Sequence, residues 1–332
     1  MDIQEQEGKR SRPVISLVLP CFNEEEVLPE TTRRLTALLD RLEADGEIDP
    51  ASAIFYVDDG SRDGTWGLIA AYSRQNPRVC GIKLSRNRGH QNALLCGLMT
   101  APGEVLISLD ADLQDDLEAI PRMVQSYRAG SEIVFAVRSK RETDSPLKKF
   151  TAQAYYRMLA FLGVQVIYNH ADFRLMSRRT LEVLRDYGET HLFLRGLVHQ
   201  LGFKTDIVEF ERMERFAGES KYPLSKMLSL AWQGVTSFTA YPLRLITGAG
   251  VLVSLASLAM AAWAFCLRLF TNEALPGWAS TVIPMYFLGG VQLLSLGIIG
   301  EYLAKVYESS KNRPRFHVET VCGLPFGKAG VK

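Results

Sequence analysis

Apolar residues come in short runs through the first two thirds of the chain, and each run stops at a polar cluster. Val14–Pro20, "VISLVLP", has the pattern of a buried strand ending at Pro20. Leu28, Leu35, Leu38, Leu39 and Leu42 then recur at helical spacing and predict a helix from Glu24 to about Leu42. "AIFYVDDGS" predicts a second strand, "VCGIKLS" a third, "EVLISLDAD" a fourth and "EIVFAVRS" a fifth. "GHQNALLCGLMTA" and the stretch from about Asp115 to Arg128 read as helices. Strands alternating with helices predict an α/β domain with an open, mostly parallel sheet. Ligands of such sheets sit beyond the carboxyl ends of the strands. Three of these strands end in "PCFNEEE", "DDGSRDGT" and "DADLQDD", which should converge on one edge.

The pattern changes after Tyr241. Leu245–Leu267 and Ala274–Gly300 contain no charged residue. Each run reaches the roughly 20 helical residues that cross a bilayer, and the pair predicts a transmembrane hairpin. A pair of buried core helices is the alternative, which uncharged runs of this length disfavour. Lys221, Lys226 and Arg244 precede the first span, and Lys305, Lys311, Arg313 and Arg315 follow the second. The positive-inside rule puts both flanks in the cytoplasm and the short connection outside. "PLKKFTAQAYYRMLAFLG" and "PLSKMLSLAWQGVTSF" are amphipathic and basic, which suits the membrane interface. Packing on the sheet or a subunit contact is the other reading of these two stretches.

Composition narrows the field. A net charge of +1 argues for no particular partner. The five cysteines are scattered without a CxxC pair, as in reduced, cytosol-facing proteins. The polar start "MDIQEQEGKRSRP" predicts no cleavable signal peptide. No GxGxxG opens the first strand–helix turn and no GxxxxGK[ST] occurs, which disfavours a dinucleotide dehydrogenase and excludes a P-loop enzyme.

The acidic clusters carry the chemistry. Asp110 and Asp112 stand two residues apart just past a strand. Ionised carboxylates are costly to desolvate together without a cation. A hard divalent ion takes one or two carboxylates plus substrate phosphates. We therefore expect Mg²⁺ or Mn²⁺ at Asp110 and Asp112, arriving with a diphosphate, with Gln114 as a third oxygen. A solvated, helix-capping turn is the alternative and suits Asp115 and Asp116 better. Asp58 and Asp59 end the second strand, where a carboxylate can accept from a base N–H or a ribose hydroxyl. Gly60 permits the tight turn there, and Asp63 can cap the next helix.

"LVLPCFNEEEVLPE", "VDDGSRDGTW", "LSRNRGHQNAL" and "LDADLQDD" together resemble the successive motifs of family 2 glycosyltransferases. "ADFRLMSRRT", "ERFAGESKY", "GVTSFTAYPLRL" and "LGIIGEYLAKVYESSKNRPRF" narrow the resemblance to polyprenyl-phosphate glycosyltransferases. Among these the motifs particularly resemble the bacterial bactoprenol glucosyltransferases. Dolichyl-phosphate mannose synthases and the aminoarabinose transferase are more distant. The resemblance implies a GT-A, Rossmann-like fold with interfacial helices and the two-helix hairpin. The domains would be 1–220 catalytic and cytoplasmic, 221–241 an interfacial helix, 242–308 two transmembrane helices and 309–332 a cytoplasmic tail.

By matching position, Pro20, Asn23 and Glu24 would line the nucleotide pocket and Asp58 would hold the base. Asp110 and Asp112 would form the metal pair with Gln114, Asp110 also facing the nucleotide. Asp112 and Asp172 would serve catalysis. Arg138, Arg174, Arg215 and Lys221 would grip phosphates or the acceptor, and Arg178 and Arg179 read as surface or helix-start charges. The implied reaction is inverting transfer of a sugar, glucose first, from a UDP-sugar to undecaprenyl phosphate, for uses such as O-antigen modification. The implied setting is a bacterial inner membrane, with self-association up to a tetramer and no nucleic-acid partner. GDP-mannose, UDP-N-acetylglucosamine or UDP-aminoarabinose remain alternative donors. A processive polysaccharide synthase is disfavoured, because none of Trp66, Trp232, Trp263 and Trp278 lies in a QxxRW motif. A non-catalytic membrane partner of lipid-carrier transport would not need the full acid set.

Overall fold

The computed structural model describes residues 11–138, 170–187, 194–210, 241–270, 278–311 and 313–323. Two compact units divide the chain, one built on a sheet and the other on the C-terminal helices.

The sheet contains β1 (Ile15–Cys21), β2 (Ala53–Asp58), β3 (Val79–Leu84), β4 (Val105–Ser108), β5 (Ile133–Arg138), β6 (His170–Ser177), β7 (Thr205–Phe210) and β8 (Val318–Cys322). Their order is β7-β5-β6-β4-β1-β2-β3-β8. β1 pairs in parallel with β2 and β4, β2 with β3, and β5 with β7. Only β6 and β8 run against the rest, so the sheet is mostly parallel as expected.

The five strands anticipated from apolar runs are all present; β6, β7 and β8 are additions. The first strand extends through Pro20 to Cys21. Proline has no N–H for a ladder, yet β1 tolerates it because pairing with β4 has already ended at Val18.

Among the described residues six helices accompany the sheet: α1 (Leu28–Ala44), α2 (Thr65–Gln75), α3 (His90–Thr100), α4 (Ala119–Arg128), α5 (Arg178–Arg185) and α6 (Leu194–Gln200). Alternation along β1 sends Ile15, Leu17 and Leu19 to one face, where Leu35 and Leu39 of α1 and Ile120 and Met123 of α4 cover them. Val18, with Phe55 and Val57 of β2, faces Leu94 and Leu98 of α3 and Leu181 and Leu184 of α5. Each fully buried side chain of this kind is worth roughly 1.5–3 kcal/mol relative to exposure. Gly97 lets α3 lie close to the sheet, since a Cβ there would stand 2.3 Å from Val18 Cγ1 and 2.7 Å from Val57 Cγ2.

α1 begins at Leu28, four residues later than its pattern suggested, because the Glu24 carbonyl closes a turn onto the N–H groups of Val27 and Leu28. The C-terminal segment supplies an edge strand. β8 pairs with β3, Lys83 and Glu319 make a salt bridge at 3.1 Å, and Arg315 donates to the Tyr187 carbonyl at 2.7 Å.

The second unit holds α7 (Tyr241–Phe270) and α8 (Trp278–Ser310). These helices cover the two uncharged runs from Leu245 and from Trp278 onward, and the connection 271–277 lies outside the described residues. Among the described residues one stretch, Phe287–Ser310, is long and apolar enough to cross a membrane, and its apolar window has no buried share. Leu293, Leu296, Leu303 and Val306 of α8 and Leu252 and Leu255 of α7 are exposed. Thr247 and Ser295 return their hydroxyls to the carbonyls of Leu243 and Val291, so neither needs water. Both predicted amphipathic stretches fall outside the described residues.

Candidate active site

The strand directions gather the acids. β1, β2, β3 and β4 are parallel, so the residues that follow them emerge at one edge. β6 runs the other way, with Arg174 opposite Ser108, so its N-terminal half meets the end of β4 at that same edge. This brings Asp172 to Asp110.

The first two loops are stitched together. Asn23 sits at φ +56°, donates its N–H to Ser61 Oγ at 3.0 Å and accepts the Arg62 N–H on Oδ1 at 2.9 Å. Glu24 N–H donates to Thr65 Oγ1 at 2.9 Å, and Glu25 Oε2 accepts the Gly64 N–H at 2.7 Å. Gly60, at φ +71°, allows close passage of the next loop, because a Cβ there would lie 2.7 Å from the Asn87 nitrogen.

Asp58 and Asp59 divide their work. Asp58 is fully buried; its Oδ1 accepts the Ser61 N–H at 3.1 Å, while Oδ2 is buried with no hydrogen-bond partner. Burial pushes its carboxyl above the usual range, against the pull of the Ser61 hydrogen bonds and Lys83. Asp59 is also buried, and it accepts the N–H of Arg88 at 2.6 Å and of Gly89 at 2.8 Å. Burial raises its carboxyl too, partly offset by those two hydrogen bonds. Asp59 therefore shapes the β3–α3 loop, whereas Asp58 offers an unused acceptor.

Past β4, the Leu109 N–H reaches the Val18 carbonyl at 3.2 Å, and Thr31 Oγ1 donates to the Ala111 carbonyl at 2.8 Å. Asp112 Oδ1 accepts the Gln114 N–H at 3.2 Å across Leu113, a non-glycine residue held at φ +57°. A left-handed non-glycine costs roughly 1–3 kcal/mol and persists only where the surroundings enforce it. Asp110 is part-exposed and Gln114 buried.

Asp172 is nearly buried and well supplied with donors. Arg174 Nη2 donates to Oδ1 at 2.6 Å, and Gln91 Nε2 donates to Oδ2 at 3.2 Å. Gln91 Oε1 in turn accepts the Leu194 N–H at 3.2 Å, tying α6 to the same point. Ser108 Oγ donates to the Asp172 carbonyl at 2.5 Å. His90 Nε2 stands 3.5 Å from Asp172 Oδ2 and 3.6 Å from Asp110 Oδ1.

The site residues expected from sequence fall into three groups. Pro20, Asn23, Glu24, Asp58, Asp110, Asp112, Gln114 and Asp172 come from this edge. Arg174, expected to grip phosphate, has no exposed surface and lies in β6 against Asp172, because a buried carboxylate needs a cation beside it. Arg138 ends β5, paired with Phe210 of β7; Arg215 and Lys221 lie outside the described residues. Arg178 is part-buried on the carbonyls of Gly103 and Ala101, and Arg179 lies over the Phe203 ring. Sequence reasoning missed His90 and Gln91 as parts of the site, and it offered Asp59 beside Asp58 as a nucleotide acceptor, whereas its oxygens hold the Arg88 and Gly89 N–H groups. The available signal was "GHQN", three polar side chains opening a helix that is mostly apolar beyond them.

Cys21 sits at the floor of this edge. Burial, then Glu24, Asp58, Asp110 and Asp63, push its thiol well above the usual range. Those four carboxylates act together on this one point. The oxygen donors of Asp110 and Asp112 fit a hard divalent ion, Mg²⁺ or Mn²⁺. Among the described residues no group of three His, Cys, Asp or Glu side chains could hold an ion alone, so substrate oxygens would complete such a site.

A mostly parallel eight-stranded sheet with helices on both faces and a DxD pair just past β4 is the arrangement expected of a GT-A glycosyltransferase. Residues 16–202 match the model of "Glycosyl transferase family 2", and the chain belongs to that family. It is 48% identical over 315 residues to the uncharacterized glycosyltransferase YkoT of Bacillus subtilis, covering 94% of this chain and 93% of that one. It is 38% identical over 311 residues to the bactoprenol glucosyl transferase of Shigella phage SfX, covering 92% of this chain and 99% of that one. Among solved structures it is similar to glucosyl-3-phosphoglycerate synthase from Mycobacterium tuberculosis, crystallised with Mn²⁺, UDP and phosphoglyceric acid. That match has 18% identity and a TM-score of 0.42, covering 68% of this chain and 76% of that one.

Proposed function

We propose that this enzyme transfers glucose from UDP-glucose to undecaprenyl phosphate at the cytoplasmic face of a bacterial inner membrane. The product would be a lipid-linked sugar for cell-envelope glycosylation. The observation that carries this reading is the 38% identity to a bactoprenol glucosyl transferase across 99% of that protein.

The geometry supports it at three points. Asp58 Oδ2 is a buried acceptor without a partner, which a pyrimidine N–H would satisfy. Asp110 and Asp112 would hold Mg²⁺ or Mn²⁺, which supplies charge stabilisation of the leaving diphosphate when bound. The carboxylates of Glu24, Asp58 and Asp110, grouped around Cys21, would otherwise repel a diphosphate. Asp172 has its oxygens engaged by Arg174 and Gln91, which suits a positioning group better than a free base.

The acceptor needs little help from a base. A phosphate monoester has a second pKa near 6, so much of it is already doubly anionic at neutral pH. One of its oxygens would attack the anomeric carbon from the face opposite UDP. The new C–O bond forms as the bond to UDP breaks, which inverts the α-linked donor to a β-linked product. Arg138, Arg215 and Lys221 are candidate phosphate grips. In this reading α7 and α8 span the bilayer as a hairpin, 221–241 lies at the interface, and residues 1–220 and 309–332 face the cytoplasm.

The test is transfer from a panel of radiolabelled nucleotide sugars to undecaprenyl phosphate, with Mg²⁺, with Mn²⁺ and with chelator. Metal-dependent labelling by UDP-glucose alone is expected. Labelling by another donor would correct the sugar, and no transfer by folded, lipid-embedded protein would overturn the reading.

A further inference from the structure

We infer that His90 is a positioning residue that holds Asp110, on the metal side, in register with Asp172 on β6. The inference rests on the reading of Asp110 and Asp112 as the metal pair. Its starting observation is that one imidazole nitrogen stands 3.6 Å from Asp110 Oδ1 and 3.5 Å from Asp172 Oδ2. Such separations are electrostatic contacts rather than short hydrogen bonds. An N–H placed between two carboxylates offsets their mutual repulsion and restricts both.

A histidine on a surface could meet two acids by accident. His90 does not stand on a free surface. The residue before it, Gly89, is held at φ +85° with its N–H on Asp59 Oδ2 at 2.8 Å. The residue after it, Gln91, is clamped between Asp172 and the Leu194 N–H, each at 3.2 Å. Asn92 Nδ2 bonds back to the Arg88 carbonyl at 2.8 Å. Further along α3, Gly97 fixes the distance of the helix from β1 and β2. The backbone of His90 is thus set from both sides, while its side chain is 42% exposed at the edge where substrate would arrive.

Asp110, by contrast, follows β4 on a loop and is 40% exposed. Without the imidazole its carboxylate loses this tie to Asp172 on β6. The consequence falls on the metal-dependent part of nucleotide binding. The Asp58 part, on the next strand but one, is untouched.

The experiment is calorimetric titration of UDP into the detergent-solubilised full chain, once with Mn²⁺ and once with EDTA, for wild type, His90→Ala and His90→Gln. Wild type should bind UDP more tightly with Mn²⁺. His90→Ala should lose about tenfold of that gain while its affinity in EDTA stays within twofold. His90→Gln, whose Nε2 can reach the imidazole position, should recover most of it. An undiminished Mn²⁺ gain in His90→Ala overturns the inference. Equal weakening with Mn²⁺ and with EDTA also overturns it, because it marks general disruption. Absence of any Mn²⁺ gain in wild type overturns the metal reading itself, and the inference falls with it.

Discussion

Asp59 Oδ1 accepts the backbone N–H of Arg88 at 2.6 Å, and its other oxygen takes the next N–H in the loop. One carboxylate just past β2 thereby shapes the loop that leads to His90 and Gln91. Asp59→Ala strands both donors, at roughly 1–3 kcal/mol for each one that water cannot reach. We expect a loss of about 1–3 kcal/mol in denaturant unfolding followed by tryptophan fluorescence, and a lower transfer rate. Asp59→Asn, which keeps an acceptor, should fall between. An unchanged unfolding midpoint in Asp59→Ala would refute the role.

Asp58 should behave in the opposite way. Its Oδ2 is buried without a partner, so Asp58→Asn removes a costly charge and should not destabilise the fold. It should weaken nucleotide binding by about 10- to 100-fold, the worth of a charge-assisted hydrogen bond of roughly 1.5–3 kcal/mol.

The same substitution carries a pH signature. Burial raises the folded-state pKa of Asp58, so the folded chain keeps this proton to higher pH than the unfolded chain does. Ionising the group then costs stability as pH rises from the unfolded value, about 3.9, through the raised folded value. The stability advantage of Asp58→Asn over wild type should therefore widen across that window and level off above it. Below it the advantage should be absent. A difference that is flat with pH would contradict the assignment.

Gly97 and Gly67 make a controlled pair. A methyl at Gly97 would press on Val18 and Val57, whereas a Cβ at Gly67 meets nothing within 4 Å. Gly97→Ala should destabilise by about 1–3 kcal/mol through overpacking. Gly67→Ala, inside α2, should stabilise by up to about 1 kcal/mol through helix propensity. Thermal unfolding of the two variants side by side checks both signs, and the reverse order would show that α3 can move away from the sheet.

Asp112→Ala should abolish lipid labelling, with a loss of at least about 100-fold, of the order seen when one transition-state charge contact is removed. Because the Asp112 carboxylate also accepts the Gln114 N–H, Asp112→Asn separates the two roles. It keeps an acceptor for the turn and should be as inactive as alanine. Substantial activity in either variant with metal bound would remove Asp112 from the site.

Much of the sheet was legible, and the failures have particular causes. β1 to β5 are short apolar runs bounded by turns, so hydrophobic continuity revealed them. β6, "HADFRLMS", interleaves Asp172 and Arg174 with Phe173 and Leu175 and reads as half polar. It is a central strand because Asp172 and Arg174 neutralise one another at 2.6 Å. β8, "VETVC", is part-exposed or exposed along its whole length and becomes a strand only by pairing with the edge of β3. α4 starts at Ala119 rather than near Asp115, since the Asp116 and Leu117 carbonyls close turns onto Ala119 and Ile120 before the helix begins.

By itself the sequence determined the alternation of strands and helices, the acids at the strand ends and the two uncharged helical runs. Those features depend on side-chain chemistry at short range, so they can be read locally. Only the tertiary structure decided the employment of each acid: Asp58 with a buried acceptor lacking a hydrogen-bond partner, Asp59 bound to a loop, and Asp172 gripped by Arg174 and Gln91. It also brought His90 between Asp110 and Asp172. Hydrogen bonds and ion pairs are settled by distance and direction in space, and their partners here come from strands and helices far apart along the chain.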